Sequence, residues 1–117
     1  MSCKVEGTSI YLTRGDSLTL EIGVQINKKT YVPVEGDTIK FALKRDKFKT
    51  DKSAYLDNAP LIEKEVSIDT MTLELDAADT ASLAFGNYVY DLQITFSNGK
   101  VDTFINNAKF IILPEVA

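Results

Sequence analysis

The chain carries no histidine, which removes the commonest general base, the Ser-His-Asp relay, the Cys-His pair and imidazole metal sites. Carboxylates are then the available acid–base groups. Glu63, Glu65, Glu74 and Asp91 all fall at the polar positions of alternating stretches, where the ordinary role is a solvated sheet face with lysines across the ladder. A two-carboxylate glycosidase also needs a cleft and displaced pKa values, and no motif supplies them. Asp76 and Asp79 lack the alternating Asp/Asn ligands and glycine of a calcium loop but suit a helix N-terminus. Cys3 is the single cysteine, so no intrachain disulfide or cysteine cage can form. No glycine-rich phosphate loop occurs. The residues therefore imply no cofactor, no metal and no catalysis.

Two stretches could instead recognise a partner. Arg14-Gly15-Asp16-Ser17 is the tetrapeptide that integrins read. Turn chemistry accounts for the same residues: Gly15 supplies backbone freedom, Asp16 or Ser17 can bond nearby N–H groups, and Arg14 ends a strand. The turn reading is preferred and integrin binding is not expected. The second stretch, residues 45 to 60, is long for a loop and holds Phe48, Lys49, Lys52 and Tyr55. Lysines interleaved with aromatics can bind single-stranded nucleic acid or sugars. Asp46, Asp51 and Asp57 break up that charge, so a solvated interaction loop, or one ordered by a neighbouring subunit, fits better. A net charge of −4 over 117 residues argues against a sequence-independent grip on nucleic acid or anionic lipid.

These residues sit on strands. Leu18, Leu20, Ile22, Val24 and Ile26 alternate with polar neighbours from Ser17 to Ile26, as do Ile39, Phe41 and Leu43, and Met71, Leu73 and Leu75, which is the period of half-buried strands. In "YVYDLQITF" Tyr88, Tyr90, Leu92, Ile94 and Phe96 share a face, with Val89 and Asp91 on the other. Asp91 then stands opposite strands carrying Lys40, Lys44 or Lys100, predicting an exposed ion pair worth at most about 1 kcal/mol. Asn98-Gly99 predicts a two-residue hairpin turn, with "KVDTFI" returning antiparallel. "AKFIILP" is a last apolar run. "NKKTYVPVEGD" reads as turn, short strand, turn, with Pro33 at an edge, and residues 76 to 83 as one or two turns of helix capped by Asp76.

The whole chain, 1–117, is expected to form one domain with a real core. Short antiparallel strands, one short helix and no βαβ alternation predict an all-β fold, an immunoglobulin-like antiparallel β-sandwich of about seven to nine strands. Gly86-Asn87-Tyr88-Val89-Tyr90 fits its E–F corner. There a tyrosine near the start of strand F turns back onto upstream backbone, and an inward residue, often cysteine, follows two positions later. Tyr88 takes the corner, Tyr90 the cysteine position, and the helix the E–F connection. No apolar run has the length of a secretory h-region or a membrane span, so no membrane insertion is expected and the chain is read as cytoplasmic in synthesis.

"LTRGDSLTLEI", "DTIKFALK", "LDNAPLIEKEV" and above all "GNYVYDLQITFSNGKVDTFINNAKFIILPEV" occur in an order that resembles small immunoglobulin-like β-sandwich domains of tailed-phage and prophage tails and baseplates, akin to the N-terminal domain of the upper baseplate protein. The resemblance implies a non-enzymatic virion structural protein, with partners that are further copies of itself or other tail and baseplate proteins. It places Gly15-Asp16 at the junction of the first and second strands, and Gly86, Tyr88, Tyr90, Asn98 and Gly99 in the final strand pair. A second reading is a host-surface or carbohydrate-binding module acting through Phe48, Tyr55 or Tyr31.

Overall fold

The computed structural model describes residues 3–6, 8–45 and 60–114. They form β1 (Cys3–Glu6), β2 (Ser9–Thr13), β3 (Leu18–Glu21), β4 (Val24–Ile26), β5 (Lys29–Tyr31), β6 (Thr38–Arg45), β7 (Ile62–Val66), β8 (Thr72–Leu75), α1 (Ala77–Ala81), β9 (Gly86–Thr95) and β10 (Val101–Leu113). One sheet has the order β1-β2-β10-β9-β6-β7. A second is the pair β3-β8, and β4-β5 make a separate hairpin. Every pairing is antiparallel except β10 with β2, which run parallel from Phe110/Ile10 to Leu113/Thr13. The fold is thus a β-sandwich in which β3 and β8 occupy the places of strands B and E, and β6, β9 and β10 those of C, F and G.

Alternation positions the core. In β6, Ile39, Phe41 and Leu43 are fully buried while Lys40 is exposed. Leu18, Leu73 and Leu75 meet them from the second sheet, and Ile10, Leu12, Tyr88, Tyr90, Leu92, Ile94, Phe110 and Ile112 complete one cluster. Tyr90 stacks within it against Phe41 at 5.5 Å and edge-on to Phe110 at 6.2 Å. Val89 departs from the expected alternation: it is buried although it shares a face with Asp91.

Three local expectations are corrected. The apparent single strand from Ser17 to Ile26 is two, because β3 follows β8 only as far as Ile22, whose N–H donates to the Met71 carbonyl at 2.8 Å. After Gly23 the chain leaves that sheet to pair with β5. The two-residue hairpin with positive φ at both positions is Asn27-Lys28 (φ 52° and 65°), not Asn98-Gly99. There only Gly99 has positive φ, 88°, and Ser97 joins the loop. The Gly99 N–H donates to Phe96 at 2.8 Å and the Phe96 N–H to Lys100 at 2.8 Å, a three-residue turn closed by a glycine bulge. The Asn98 side chain supports it by accepting from the Lys100 N–H at 2.9 Å. Finally, β5 ends at Tyr31, so Pro33 lies beyond the strand rather than on a sheet edge.

Candidate functional site

Phe48, Lys49, Lys52 and Tyr55 lie outside the described residues. The other singled-out residues fall into three clusters, each organised by hydrogen bonds to backbone.

The first cluster is the Arg14-Gly15-Asp16 turn. The Asp16 N–H donates to the Thr13 carbonyl at 3.1 Å and Gly15 has φ 85°, the positive angle that the third position of a type II turn requires. The Arg14 N–H donates to Leu113 at 3.0 Å, and the Gly15 N–H to the buried hydroxyl of Thr80 in α1 at 3.2 Å. The Arg14 guanidinium lies 5.0 Å from the centre of the Phe85 ring. The triplet is half-buried and held against α1, whereas integrin recognition needs a projecting loop tip. The helix itself starts as its sequence predicts, with the Asp79 carboxylate accepting from the Asp76 N–H at 2.7 Å. Asp79 also pairs with Lys64 at 3.2 Å.

The second cluster is the E–F corner. The Tyr88 hydroxyl donates to the Ala84 carbonyl at 2.6 Å, and Gly86 enters β9 at φ 143°. Tyr90, in the cysteine position, donates to the carbonyl of Thr8, which precedes β2 in the same sheet, at 2.5 Å; burial raises its pKa. One residue on, Asp91 is not the exposed partner that the sequence predicts. Its side chain is 14% exposed and Lys44 Nζ lies 2.5 Å from Oδ2. Oδ1 accepts from the Asn107 N–H at 2.7 Å. Asn107 has φ 51° in a β10 bulge where the pairing shifts between Ile105↔Leu92 and Ala108↔Tyr90, so Asp91 satisfies a donor that the ladder leaves over.

Asp37, which no sequence motif marked, is the third centre. It is 3% exposed. Oδ2 accepts from the Tyr31 hydroxyl at 2.5 Å and the Val34 N–H at 3.0 Å, and Oδ1 from the Ser97 N–H at 3.0 Å. These donors, Tyr31 foremost, hold its carboxyl below the usual range, and the same bond raises the Tyr31 pKa. The Tyr31 ring also meets Phe96 edge-on at 5.3 Å, so it is committed inward rather than offered to a sugar. Its sequence signal was faint: a lone aspartate between Gly36 and a strand, with donors from residues 3, 6 and 60 positions away.

Chemically, the carboxylates of Asp37, Asp79 and Asp91 hold backbone N–H groups. Glu63 pairs across the sheet with Lys40 at 3.6 Å, both half-exposed, and among the described residues no three His, Cys, Asp or Glu side chains gather as metal ligands. No described helix is long and apolar enough to cross a membrane. Among the described residues, one flank of the sandwich is left open. The β7–β8 flank is closed by the turn between those strands and the Ser67↔Thr72 bridge. On the other flank a cavity of about 190 Å³ opens between Thr8 and Ile10 on one side and Leu20, Ile22 and Gly23 on the other, floored by Tyr90, Leu92 and Ile105. Compared with protein-family models, curated proteins and solved structures, the chain matches none.

Proposed function

We propose that the domain is a non-enzymatic structural and interaction module, a tail or baseplate component of a phage or prophage that assembles with further copies of itself or with neighbouring virion proteins. The observation that carries this reading is the open flank: a strand edge that no described residue covers, beside an apolar cavity, is the kind of surface that a neighbouring chain extends by strand addition. The tail and baseplate assignment rests on the order of sequence segments that resemble those domains. In support, the residues that carry the resemblance, Tyr88, Tyr90, Asp91 and the Asn98-Gly99 turn, all have framework roles.

The test is to induce lysis in the source organism, purify tailed particles, and look for the protein by mass spectrometry and by antibody labelling in the electron microscope. Label localised at one end of the tail is expected. Intact particles without the protein, with all of it soluble in the lysate, would overturn the virion role.

A further inference from the structure

We propose that the free edge of β3 pairs antiparallel with the same edge of a second copy, joining two β3-β8 pairs into one four-stranded sheet across a two-fold axis. This rests on the assembly reading above and names its surface.

The direction of the β3 backbone groups follows from one hydrogen bond. Leu18↔Leu75, Leu20↔Leu73 and Ile22↔Met71 lie in one register, and the Ile22 N–H donates to Met71. Hydrogen-bonded pairs alternate in an antiparallel ladder, so Leu18, Leu20 and Ile22 spend their N–H and C=O groups on β8. Thr72, opposite Glu21, confirms the alternation by turning its carbonyl to Ser67 instead. The N–H and C=O groups of Thr19 and Glu21 therefore point away from β8, and among the described residues no strand takes them.

Natural sheets blunt such edges with lysines, proline or bulges. The outer strand β7 follows the rule, reading Glu63-Lys64-Glu65. The β3 edge does not: from Ser17 to Gly23 it has no proline, no bulge within its pairing and one charge, Glu21. At Gly23 nothing lies within 4 Å of where a Cβ would stand, so the face of the chain is uncrowded at that end of the edge.

A second copy of this edge is a complementary occupant. In a two-fold pair, the outward-pointing groups must meet each other, so odd-numbered residues face odd-numbered residues. Glu21 opposite Glu21 is rejected by like charge. The register with Leu20 on the axis sets Thr19 opposite Glu21 and Ser17 opposite Gly23, with no two charges facing. Its inner row sets Leu18 opposite Ile22 and Leu20 opposite Leu20. The half-buried Leu20 and Ile22 at the cavity rim would be covered by the same side chains of the partner. Such an isologous contact is the commonest way for a chain to recognise its own copy.

The experiment is sedimentation equilibrium on the purified full chain and two variants, with circular dichroism to show that each is folded. Wild type is expected to dimerise at micromolar to high-micromolar concentration. Thr19→Glu faces Glu21 of the partner twice and is expected to weaken the dimer roughly tenfold. Thr19→Glu combined with Glu21→Lys makes both contacts attractive and is expected to restore it. A wild type that stays monomeric at several hundred micromolar, a Thr19→Glu variant that associates like wild type, or a double variant that stays dissociated would each overturn the pairing. A monomeric wild type leaves the particle test of the virion role intact, and absence from particles leaves this measurement meaningful.

Discussion

The Tyr88 hydroxyl and the Ala84 carbonyl oxygen are 2.6 Å apart, a hydrogen bond that spans the entry into β9 and ties the chain leaving α1 to the first buried residue of that strand. Tyr88 is 6% exposed, so Tyr88→Phe keeps the packing and leaves the Ala84 carbonyl without that donor. A loss of about 1–2 kcal/mol is expected, read as a lower urea midpoint with unchanged slope. A midpoint equal to wild type would show that water replaces the hydroxyl without cost.

Asp91 and Lys44 allow a sharper comparison. Asp91→Ala removes both the ion pair and the acceptor for the Asn107 N–H, and is expected to cost about 2 kcal/mol. Lys44→Ala leaves the Asn107 bond in place and is expected to cost about 0.5–1 kcal/mol, as befits a partly exposed pair. Neither change touches the β3 edge, so oligomeric state is expected to stay that of wild type in sedimentation. Equal costs would assign the stability to the ion pair alone, and a change of oligomeric state on Asp91→Ala would move the subunit contact to this face.

How far the sequence carried depends on how local each cause is. The β9 face, the Asp76 cap and the Tyr88 corner were legible because the alternation, the helix start and the turn back to Ala84 act within four residues. The split after Ile22 was not, since an unbroken apolar alternation continues to Ile26 while the pairing partner changes from β8 to β5. Asp37 was invisible for the same reason, with Ser97 among its donors. The three-residue turn at Ser97-Asn98-Gly99 depends on that long-range bond as well as on the Asn-Gly pair that the sequence displays. The open β3 edge is a property of topology: "LTLE" reads the same with or without a second neighbour.

Gly36 and Gly99 separate steric from conformational cost. Both have positive φ, 96° and 88°. A Cβ on Gly36 would stand 2.9 Å from the Ser97 Cβ, whereas one on Gly99 would meet nothing within 4 Å. Gly99→Ala is expected to cost about 1–2 kcal/mol for the left-handed backbone alone. Gly36→Ala adds a displacement of the turn that Asp37 holds, about 1 kcal/mol more. Thermal midpoints in the order wild type, Gly99→Ala, Gly36→Ala check this, and coincident midpoints for the two variants would count against the contact with Ser97.

Adhesion tests the Arg14-Gly15-Asp16 turn. Asp16 contributes its backbone N–H to the turn, and glutamate keeps that N–H and the charge while lengthening the side chain that an integrin would read. Integrin-bearing cells are expected to adhere equally to surfaces coated with wild type and Asp16→Glu. Adhesion to wild type that Asp16→Glu abolishes would establish recognition in place of the turn role. Gly15→Ala, by contrast, is expected to cost about 1–2 kcal/mol of stability because of the φ of 85°.

The Asp37 clamp gives the domain a defined response to pH. Its folded pKa lies below the unfolded value, which is about 3.9, so the unfolded chain binds the proton first as pH falls. The stabilisation is present above the unfolded pKa and is lost progressively from about pH 4 downward, through the folded pKa. Tyr31 has the opposite sign: its folded pKa is raised above an unfolded value of about 10, so its contribution is complete below about pH 10 and lost as pH rises through the folded pKa. Tyr90, raised by burial, acts in the same direction at the alkaline end. Asp37→Asn removes the charge that links the first two groups. The difference in unfolding free energy between wild type and Asp37→Asn is therefore expected to be flat from about pH 5 to 9, and to shrink below about pH 4 and again above about pH 10. Denaturant titrations across that range measure it. A difference that stays constant down to about pH 2.5 would mean that the carboxylate charge contributes nothing to the clamp and that its hydrogen-bond geometry alone holds Tyr31, Val34 and Ser97 together.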